Sequence, residues 1–252
     1  MAELGIKIYL NSENLAYLRK MRDAVDFVEV LIRPEQDLTP LEKIQQSLSL
    51  PFTIHMAHGV FGTNPADPKL AGLNKKALEC CKDAADRLSS DVIVVHPGLI
   101  ANDRCTIESS ISFLKENFDP RLHIENMPHI GCGFLLMGRD PDNIRKIMDE
   151  TGMKFCFDVS HAFVHACATG QDPYHMIRDF IDLGPTYFHI SDTTATSGVD
   201  DHLCLGMGDI DYGRLVGLLP KDGRYTFETQ HIERPARKEL LFLRRLLDKN
   251  NL

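Results

Sequence analysis

The chain has 252 residues, of which 43% are hydrophobic and 25% are charged, a balance that is typical of a folded globular protein with a full core. Its net charge of −8 argues against a broad nucleic-acid-binding surface, although bound divalent cations would attract an anionic substrate locally. No apolar run approaches the roughly 20 residues that span a bilayer, and the N-terminal residues lack the layout of a secretory signal, so we expect a cytoplasmic protein without a membrane partner.

Eight short runs of apolar and β-branched residues predict β-strands. In chain order they are Ile6–Leu10, Phe27–Ile32, Phe52–Met56, Val92–His96, Leu122–Glu125, Lys154–Asp158, Tyr187–Ser191 and Tyr225–Glu228. The runs are nearly continuous rather than alternating, which indicates parallel strands that are buried on both faces. Helical patterns lie between them, and strand followed by helix eight times over is the pattern of an α/β (β/α)8 TIM barrel. Because no linker-like composition appears, we expect one domain over residues 1–252.

Several helix starts are marked by a capping residue followed by proline. Asp67-Pro68, Asp140-Pro141 and Asp172-Pro173 follow this pattern. Thr39-Pro40 does so as well, with Glu42 in the position of a capping-box partner, so Thr39 is predicted to cap its helix.

Residues of metal-ligand type stand at or beyond the downstream ends of six of the predicted strands. They are His55, His96, Glu125, Asp158, His161, His189, Asp200, His202 and Glu228. Active sites of such barrels lie at the C-terminal ends of the strands, so these nine side chains are expected to meet there. Histidine and carboxylate ligands without thiolates suit Zn, Mn or Fe better than Mg or Ca. The seven cysteines are scattered and include no CxxC pair, so a thiolate site and a disulfide framework are not indicated.

Each of these residues has an ordinary alternative when it is taken alone. A single histidine is often a hydrogen-bonded residue of the core, and a carboxylate that ends a strand is often a helix cap. Glu125 and Glu228 end apolar strands, where an unpaired charge would be costly. The joint pattern favours a metal cluster.

Two further histidines, His58 and His129, lie in loops near the expected site. They are candidates for contacts with the substrate, and the alternative is a solvated loop histidine. His165 and His175 are expected to have packing or surface roles.

Four segments carry a resemblance to a known family. They are VVHPG at Val94–Gly98, IEN at Ile124–Asn126, FDVSHAF at Phe157–Phe163 and VDDHLCLGMGDI at Val199–Ile210. With them the chain resembles endonuclease IV (AP endonuclease family 2) within the xylose isomerase-like TIM-barrel superfamily. The resemblance runs from His55 to Glu228. It departs at His58, where that family carries a tyrosine.

The resemblance implies a centre of up to three zinc ions that incises DNA 5′ to abasic sites. It places the first ion at His55, His96 and Glu125. Glu125 bridges to the second ion, and Glu125 and Glu228 are the implied catalytic residues. The second ion is completed by Asp158, His189 and Glu228, and the third is held by His161, Asp200 and His202.

Two other functions remain open from the sequence. The superfamily includes sugar isomerases and epimerases with one divalent metal, which resemble this chain through Glu125, Asp158, His189 and Glu228. In that hypothesis Glu125 and Glu228 move a proton next to the carbonyl of a small sugar. A metal-binding regulatory protein without turnover is the third possibility. The sequence indicates no protein partner.

Overall fold

Eight parallel strands close into a barrel in the computed structural model, which describes residues 1–196, 198–229 and 236–249. The barrel strands are β1 (Glu3–Tyr9), β2 (Phe27–Ile32), β3 (Phe52–Met56), β4 (Ile93–Val95), β5 (Leu122–Glu125), β8 (Lys154–Asp158), β9 (Tyr187–Ile190) and β10 (Arg224–Phe227). They follow one another around the barrel in chain order, and β10 closes on β1. The predicted (β/α)8 fold is therefore confirmed.

The predicted strand bounds needed small corrections. β1 begins at Glu3 rather than Ile6, because its parallel register with β10 pairs Glu3 with Arg224. The ladder of β4 ends at Val95 and that of β10 at Phe227, so His96 and Glu228 lie one residue beyond the strands. A two-stranded hairpin that was not predicted, β6 (Ile130–Gly131) with β7 (Phe134–Leu135), forms between β5 and β8.

Helices cover the outside of the barrel. Their bounds are α1 (Ser12–Met21), α2 (Thr39–Leu48), α3 (Ala71–Leu88), α4 (Ile107–Glu116), α5 (Pro141–Thr151), α6 (Val159–Thr169), α7 (Pro173–Ile181), α8 (Tyr212–Leu215) and α9 (Ala236–Lys249), with short 3-10 turns at Gly59–Phe61 and Pro68–Leu70. Within the described ranges, no helix combines the length and apolarity required to cross a bilayer.

The predicted aspartate caps are confirmed, and the threonine cap is wrong. Asp67, Asp140 and Asp172 each accept hydrogen bonds from backbone N–H groups of the first turn that follows. Helix α2 instead begins at Thr39 with Leu38 as its cap residue and no side-chain cap. The carboxylate of Asp37 accepts from the N–H of Thr39 at 3.0 Å, so this backbone donor is satisfied from outside the helix.

The N-terminal half of the barrel interior is closed by polar and aromatic side chains. The Tyr187 hydroxyl lies 2.8 Å from Thr53 Oγ1 and 2.6 Å from Thr226 Oγ1, and all three residues are fully buried. The guanidinium of Arg224 covers the Phe27 ring at 4.8 Å. A cavity of about 540 Å³ lies at the opposite end, at the C-terminal ends of the strands.

Candidate metal centre

The nine predicted ligand residues form three adjoining groups at this cavity. Within each group the possible donor atoms lie within 4.8 Å of one another. The groups are His55, His96 and Glu125; Glu125, Asp158, His189 and Glu228; and His161, Asp200 and His202. The three groups coincide with the three ion sites that the family resemblance implies.

Glu125 belongs to two groups and joins them through its two oxygens. Its Oε2 lies 3.2 Å from His55 Nε2 and 3.0 Å from His96 Nε2. Its Oε1 lies 3.0 Å from His189 Nδ1. The Glu125 carboxylate ends β5 and is buried. A carboxylate with one oxygen toward each group has the arrangement of a bridging ligand.

The second group contains acceptors that have no protein donor. His189 Nδ1 lies 3.0 Å from Glu228 Oε2 and 4.0 Å from Asp158 Oδ2. Among the described residues, neither Asp158 Oδ2 nor Glu228 Oε2 has a hydrogen-bond partner, although both atoms are buried. A buried acceptor without a donor is unfavourable, and a cation would satisfy both oxygens together. The residues therefore fit a metal ion.

Asp158 serves two purposes, since it caps a helix and faces the centre. Its Oδ1 accepts from the His161 N–H that opens helix α6, at 2.8 Å, and lies 2.8 Å from Ser160 Oγ. Ser160 Oγ is also 2.5 Å from Asp200 Oδ2, so it links the second and third groups. Because the cap engages only Oδ1, the cap interpretation and the ligand interpretation of Asp158 are compatible.

The third group combines the first turn of α6 with a loop that follows β9. His161 Nε2 lies 3.4 Å and His202 Nδ1 lies 3.7 Å from Asp200 Oδ2. The other ring nitrogen of His202, Nε2, is 3.5 Å from Glu228 Oε1. Glu228 therefore touches the second group through one oxygen and the third group through the other.

Backbone carbonyls orient two of the imidazoles. His55 Nδ1 lies 2.8 Å from the Met56 carbonyl, and His161 Nδ1 lies 2.8 Å from the Asn126 carbonyl. Each Nδ1 must carry the ring proton, because a carbonyl oxygen can only accept a hydrogen bond. The lone pair is then on Nε2, which faces the centre and can bind a metal ion. Such outer hydrogen bonds are usual for metal-binding histidines.

The loop that carries Asp200 and His202 is anchored at its base by Asp192. The backbone of Asp192 exchanges two hydrogen bonds with Leu203, at 2.8 and 2.7 Å. Its carboxylate accepts from the N–H groups of Gly206 at 2.8 Å and Ile210 at 3.2 Å. The described residues of this loop, 192–196 and 198–211, are thus held together by hydrogen bonds to Asp192.

Burial and charged neighbours shift the pKa values of four ligand residues. Burial raises the pKa of Asp158 to about 6, and the negative charges of Asp200 and Glu125 add to this rise. Burial also opposes ionisation of Glu125, but its contacts with His189 and His96 hold the pKa of that carboxyl well below its usual range. Burial lowers the pKa of His96 to about 4, so its imidazole is neutral and available as a ligand. For His202 burial is outweighed by Asp200 and Glu228, which raise its pKa to about 10.

Two charged residues of the centre were not predicted from the sequence. Glu29 in β2 is fully buried, and its Oε2 lies 2.9 Å from His189 Nε2. Lys7 in β1 places its Nζ 2.5 Å from Glu228 Oε1 and 3.7 Å from Glu29 Oε1. Burial alone would lower the pKa of Lys7, but these carboxylates outweigh it and raise that pKa above its usual value. The sequence does contain a signal for these two residues, because each is a single charged residue inside an apolar run, GIKIY or FVEVLI.

Comparison with known proteins places the chain in a family. A model described as xylose isomerase-like TIM barrel matches residues 18–246. The chain belongs to this family. The resemblance that the sequence motifs indicated is confirmed.

Similar proteins carry the names of both endonucleases and epimerases. A probable endonuclease 4 of Mycobacterium ulcerans is 28% identical over 86% of this chain and 85% of its own length. The structure of a D-tagatose 3-epimerase-like protein aligns with a TM-score of 0.75 and 19% identity, over 99% of this chain and 98% of that one. Endonuclease IV from Thermus thermophilus aligns with a TM-score of 0.74 and 20% identity, over 98% and 99%. At these identities the structural likeness establishes the xylose isomerase-like fold alone.

The two histidines predicted as substrate contacts have different surroundings. The His58 ring stacks on the His96 ring, with centroids 4.9 Å apart, and lines the cavity. Burial, together with His96 and His55, lowers the pKa of His58 well below its usual value, so it faces the cavity as a neutral ring. The His129 ring instead stacks on His165, with their Nδ1 atoms 3.1 Å apart. His129 is therefore occupied by a protein partner at the base of the β6–β7 hairpin.

Apolar side chains form most of the cavity wall above the centre. Among the described residues that line it, Lys7 is the only lysine or arginine. The apolar lining residues include Ile8, Tyr9, Met56, Val60, Leu99, Met127, Ile130, Leu136 and Val199. Leu99 also pairs with Leu136 in an isolated bridge, which ties the hairpin to the loop after β4. The cavity thus has a polar, anionic floor and an apolar rim.

Proposed function

We propose that this xylose isomerase-like protein is a metal-dependent phosphodiester hydrolase that incises DNA on the 5′ side of abasic sites. The observation that carries the proposal is the presence of two complete ligand groups beside the four-residue group of Glu125, Asp158, His189 and Glu228. A single-metal isomerase needs only that four-residue group. Zinc is the expected metal, and Mn or Fe would suit the same ligands.

Bound divalent ions would lower the pKa of a water molecule and neutralise charge on the phosphate. The protein contributes the positions of the groups around that chemistry. Glu125 directs one carboxylate oxygen to the first group and the other to the second, which fixes the separation of the two groups. Glu228 does the same for the second and third groups. These two carboxylates are therefore the proposed catalytic residues, and they would orient the attacking water and the phosphate.

An abasic nucleotide suits a centre that lies on the floor of a cavity. A substrate phosphate must reach the His96 and Glu228 side chains, which are the more accessible members of their groups, 18% and 17% exposed. A nucleotide without a base is the one that leaves the duplex stack at the lowest energetic cost. The neutral His58 ring, stacked on His96, would lie beside it.

The proposal is tested on a duplex that contains one tetrahydrofuran abasic analogue. We expect the zinc-loaded wild type to cut 5′ to the analogue, and Glu228→Gln to lower kcat by at least about 100-fold, since it removes a charged ligand from two groups. Glu35→Gln is the matched control, because Glu35 is an exposed carboxylate whose ion pair among the described residues is with Lys76. Absence of incision by a wild-type protein that holds three ions would reject the DNA substrate.

A sugar isomerase or epimerase is the second candidate, and the apolar rim is the observation that favours it. The described residues that line the cavity include one lysine and no arginine, which offers little to hold a polyanionic duplex. In this alternative Glu125 and Glu228 act as acid and base on a small sugar. The two functions are separated by His55→Ala with His96→Ala, which would abolish hydrolysis but leave deuterium exchange into D-tagatose or D-fructose in D₂O. In the isomerase alternative the wild-type protein would bind about one metal ion per chain, whereas the hydrolase would bind about three.

A further inference from the structure

Glu29 is a buried carboxylate that lies outside the three ligand groups of the proposed centre. It stands in the middle of β2, where its side chain is completely shielded from solvent. Its Oε2 lies 2.9 Å from Nε2 of His189, which is equally buried. A buried charge at such a position is unfavourable unless it has specific partners, so its contact with His189 requires an explanation.

The contact determines which nitrogen of His189 can bind a cation. Because a carboxylate only accepts, Nε2 of His189 must carry the proton that it donates to Glu29. In the neutral ring that binds a cation, the lone pair then lies on Nδ1, which is 3.0 Å from both Glu125 Oε1 and Glu228 Oε2. Glu29 therefore sets both the ring orientation and the tautomer that the second group needs.

The hydrogen bonds of His189 and His55 indicate that Glu29 acts as an outer partner and does not itself form a metal site. Donor atoms of Glu29, His55 and His189 do lie within 4.8 Å of one another. Nε2 of His189, however, carries the proton that it donates to Glu29, and the two ring nitrogens of His55 face the Met56 carbonyl and the first ligand group. No imidazole nitrogen of these two residues is therefore free to bind a further ion beside Glu29. The ammonium of Lys7, 3.7 Å from Glu29 Oε1, offsets the extra negative charge that Glu29 brings into the interior.

We propose that Glu29 is a positioning residue for the second metal site and acts through His189, with Lys7 as its buried counter-charge. The inference rests on the metal centre of the proposed function but not on its substrate. Removing the carboxylate should weaken binding of one ion by about 10- to 100-fold, the usual effect of losing an outer partner of a metal-bound histidine. The other two ions should be unaffected.

The experiment measures the binding of Co²⁺ and Zn²⁺ to the metal-free protein by chelator competition and by the visible Co²⁺ spectrum. We expect Glu29→Ala to release one of three equivalents at about 10- to 100-fold lower chelator concentration, with an altered Co²⁺ band. Glu29→Gln should recover part of the affinity, since an amide oxygen still accepts from Nε2–H. Recovery of metal affinity in Glu29→Gln would show that Glu29 positions His189 and does not merely fill space. If the alanine variant does not fold, Glu29→Gln alone still tests the inference.

Thr53→Val is the matched control. It removes an equally buried hydrogen bond of the barrel interior, to Tyr187, without touching His189. It should lower the stability of the protein while all three metal equivalents keep their affinity.

Wild-type affinity and spectrum in both Glu29 variants would overturn the inference. A wild type that binds no ion would overturn it together with the proposed centre, whereas a wild type that binds three ions and leaves abasic DNA intact would overturn only the hydrolase.

Discussion

Asp158 is a single residue that provides charge for the centre and destabilises the metal-free protein. It is fully buried, its Oδ2 has no hydrogen-bond partner among the described residues, and its pKa is raised to about 6 by burial, with Asp200 and Glu125 adding to the rise. Without a cation, the ionised form of Asp158 is therefore unfavourable in the folded protein. Functional sites commonly contain such groups, because the ligand supplies what the protein lacks.

The residue-scale prediction concerns Asp158→Asn in the metal-free protein. Since the folded pKa of about 6 exceeds the usual 3.8, the unfolded chain loses its proton first as pH rises. The wild type should thus lose stability between about pH 4 and pH 6 through this group. We expect the variant to be more stable than wild type at pH 8, by on the order of 1–3 kcal/mol, and equal to it at pH 4.

Urea unfolding of both chelated proteins across this pH range measures the difference. A metal-free wild type that is as stable as the variant at pH 8 would contradict the raised pKa of Asp158.

At the scale of elements, the loop after β9 is positioned by a close approach of its own backbone. Gly208 packs so tightly that a Cβ at this position would collide with the Thr193 carbonyl oxygen and the Asp192 carboxylate. The N–H of the next residue, Asp209, donates to the same Thr193 carbonyl at 2.9 Å. Because this loop carries Asp200 and His202, the glycine contact helps to place the third ligand group.

Gly208→Ala tests this role of the loop. We expect a loss of about 1–3 kcal/mol of stability, because the added methyl group meets backbone that cannot move independently. The third metal equivalent should bind more weakly, while the first two are retained. Gly72→Ala is the control: nothing lies within 4 Å of its added Cβ, and in helix α3 alanine should add about 0.5–1 kcal/mol. Thermal unfolding and metal titration of the two variants measure both effects, and an unchanged third site in Gly208→Ala would contradict the assignment.

At the scale of the whole molecule, the centre exists only because the barrel closes. Its ligands come from the ends of β3, β4, β5, β8, β9 and β10, from the first turn of α6 and from the loop after β9, and β10 reaches β1 and β2 through the closing pairs. Closure brings Lys7 beside Glu228 although 221 positions separate them. Four ligand carboxylates and Glu29 then share one interior with a single lysine, so cations should contribute strongly to overall stability.

Metal removal should therefore lower the melting temperature of the whole barrel. An ion present at 100 times its Kd stabilises by about 2.7 kcal/mol, and 1 kcal/mol shifts Tm by roughly 2–4 °C in a protein of this size. We expect chelation to lower Tm by at least about 10 °C, with full recovery when Zn²⁺ is restored. Calorimetry of wild type with chelator, with Zn²⁺ and with Mg²⁺ tests this, and Mg²⁺ should recover little, since the histidine-rich ligand set suits it poorly. Equal Tm values in chelator and Zn²⁺ would contradict a structural contribution of the metal.

The amino-acid sequence by itself determined the barrel, its eight strands to within a few residues, and a set of nine side chains at or beyond the strand ends. It could do so because parallel strands have a characteristic apolar pattern, and because their C-terminal ends necessarily meet at one mouth. It did not reveal Lys7 and Glu29, which stand within strands, where a lone charge has no meaning until its neighbours are known. Only the tertiary structure decided that Glu29 meets His189, that Lys7 meets Glu228, and that His129 pairs with His165. These contacts depend on strand register and barrel closure, which join residues far apart in the chain and leave no local signature.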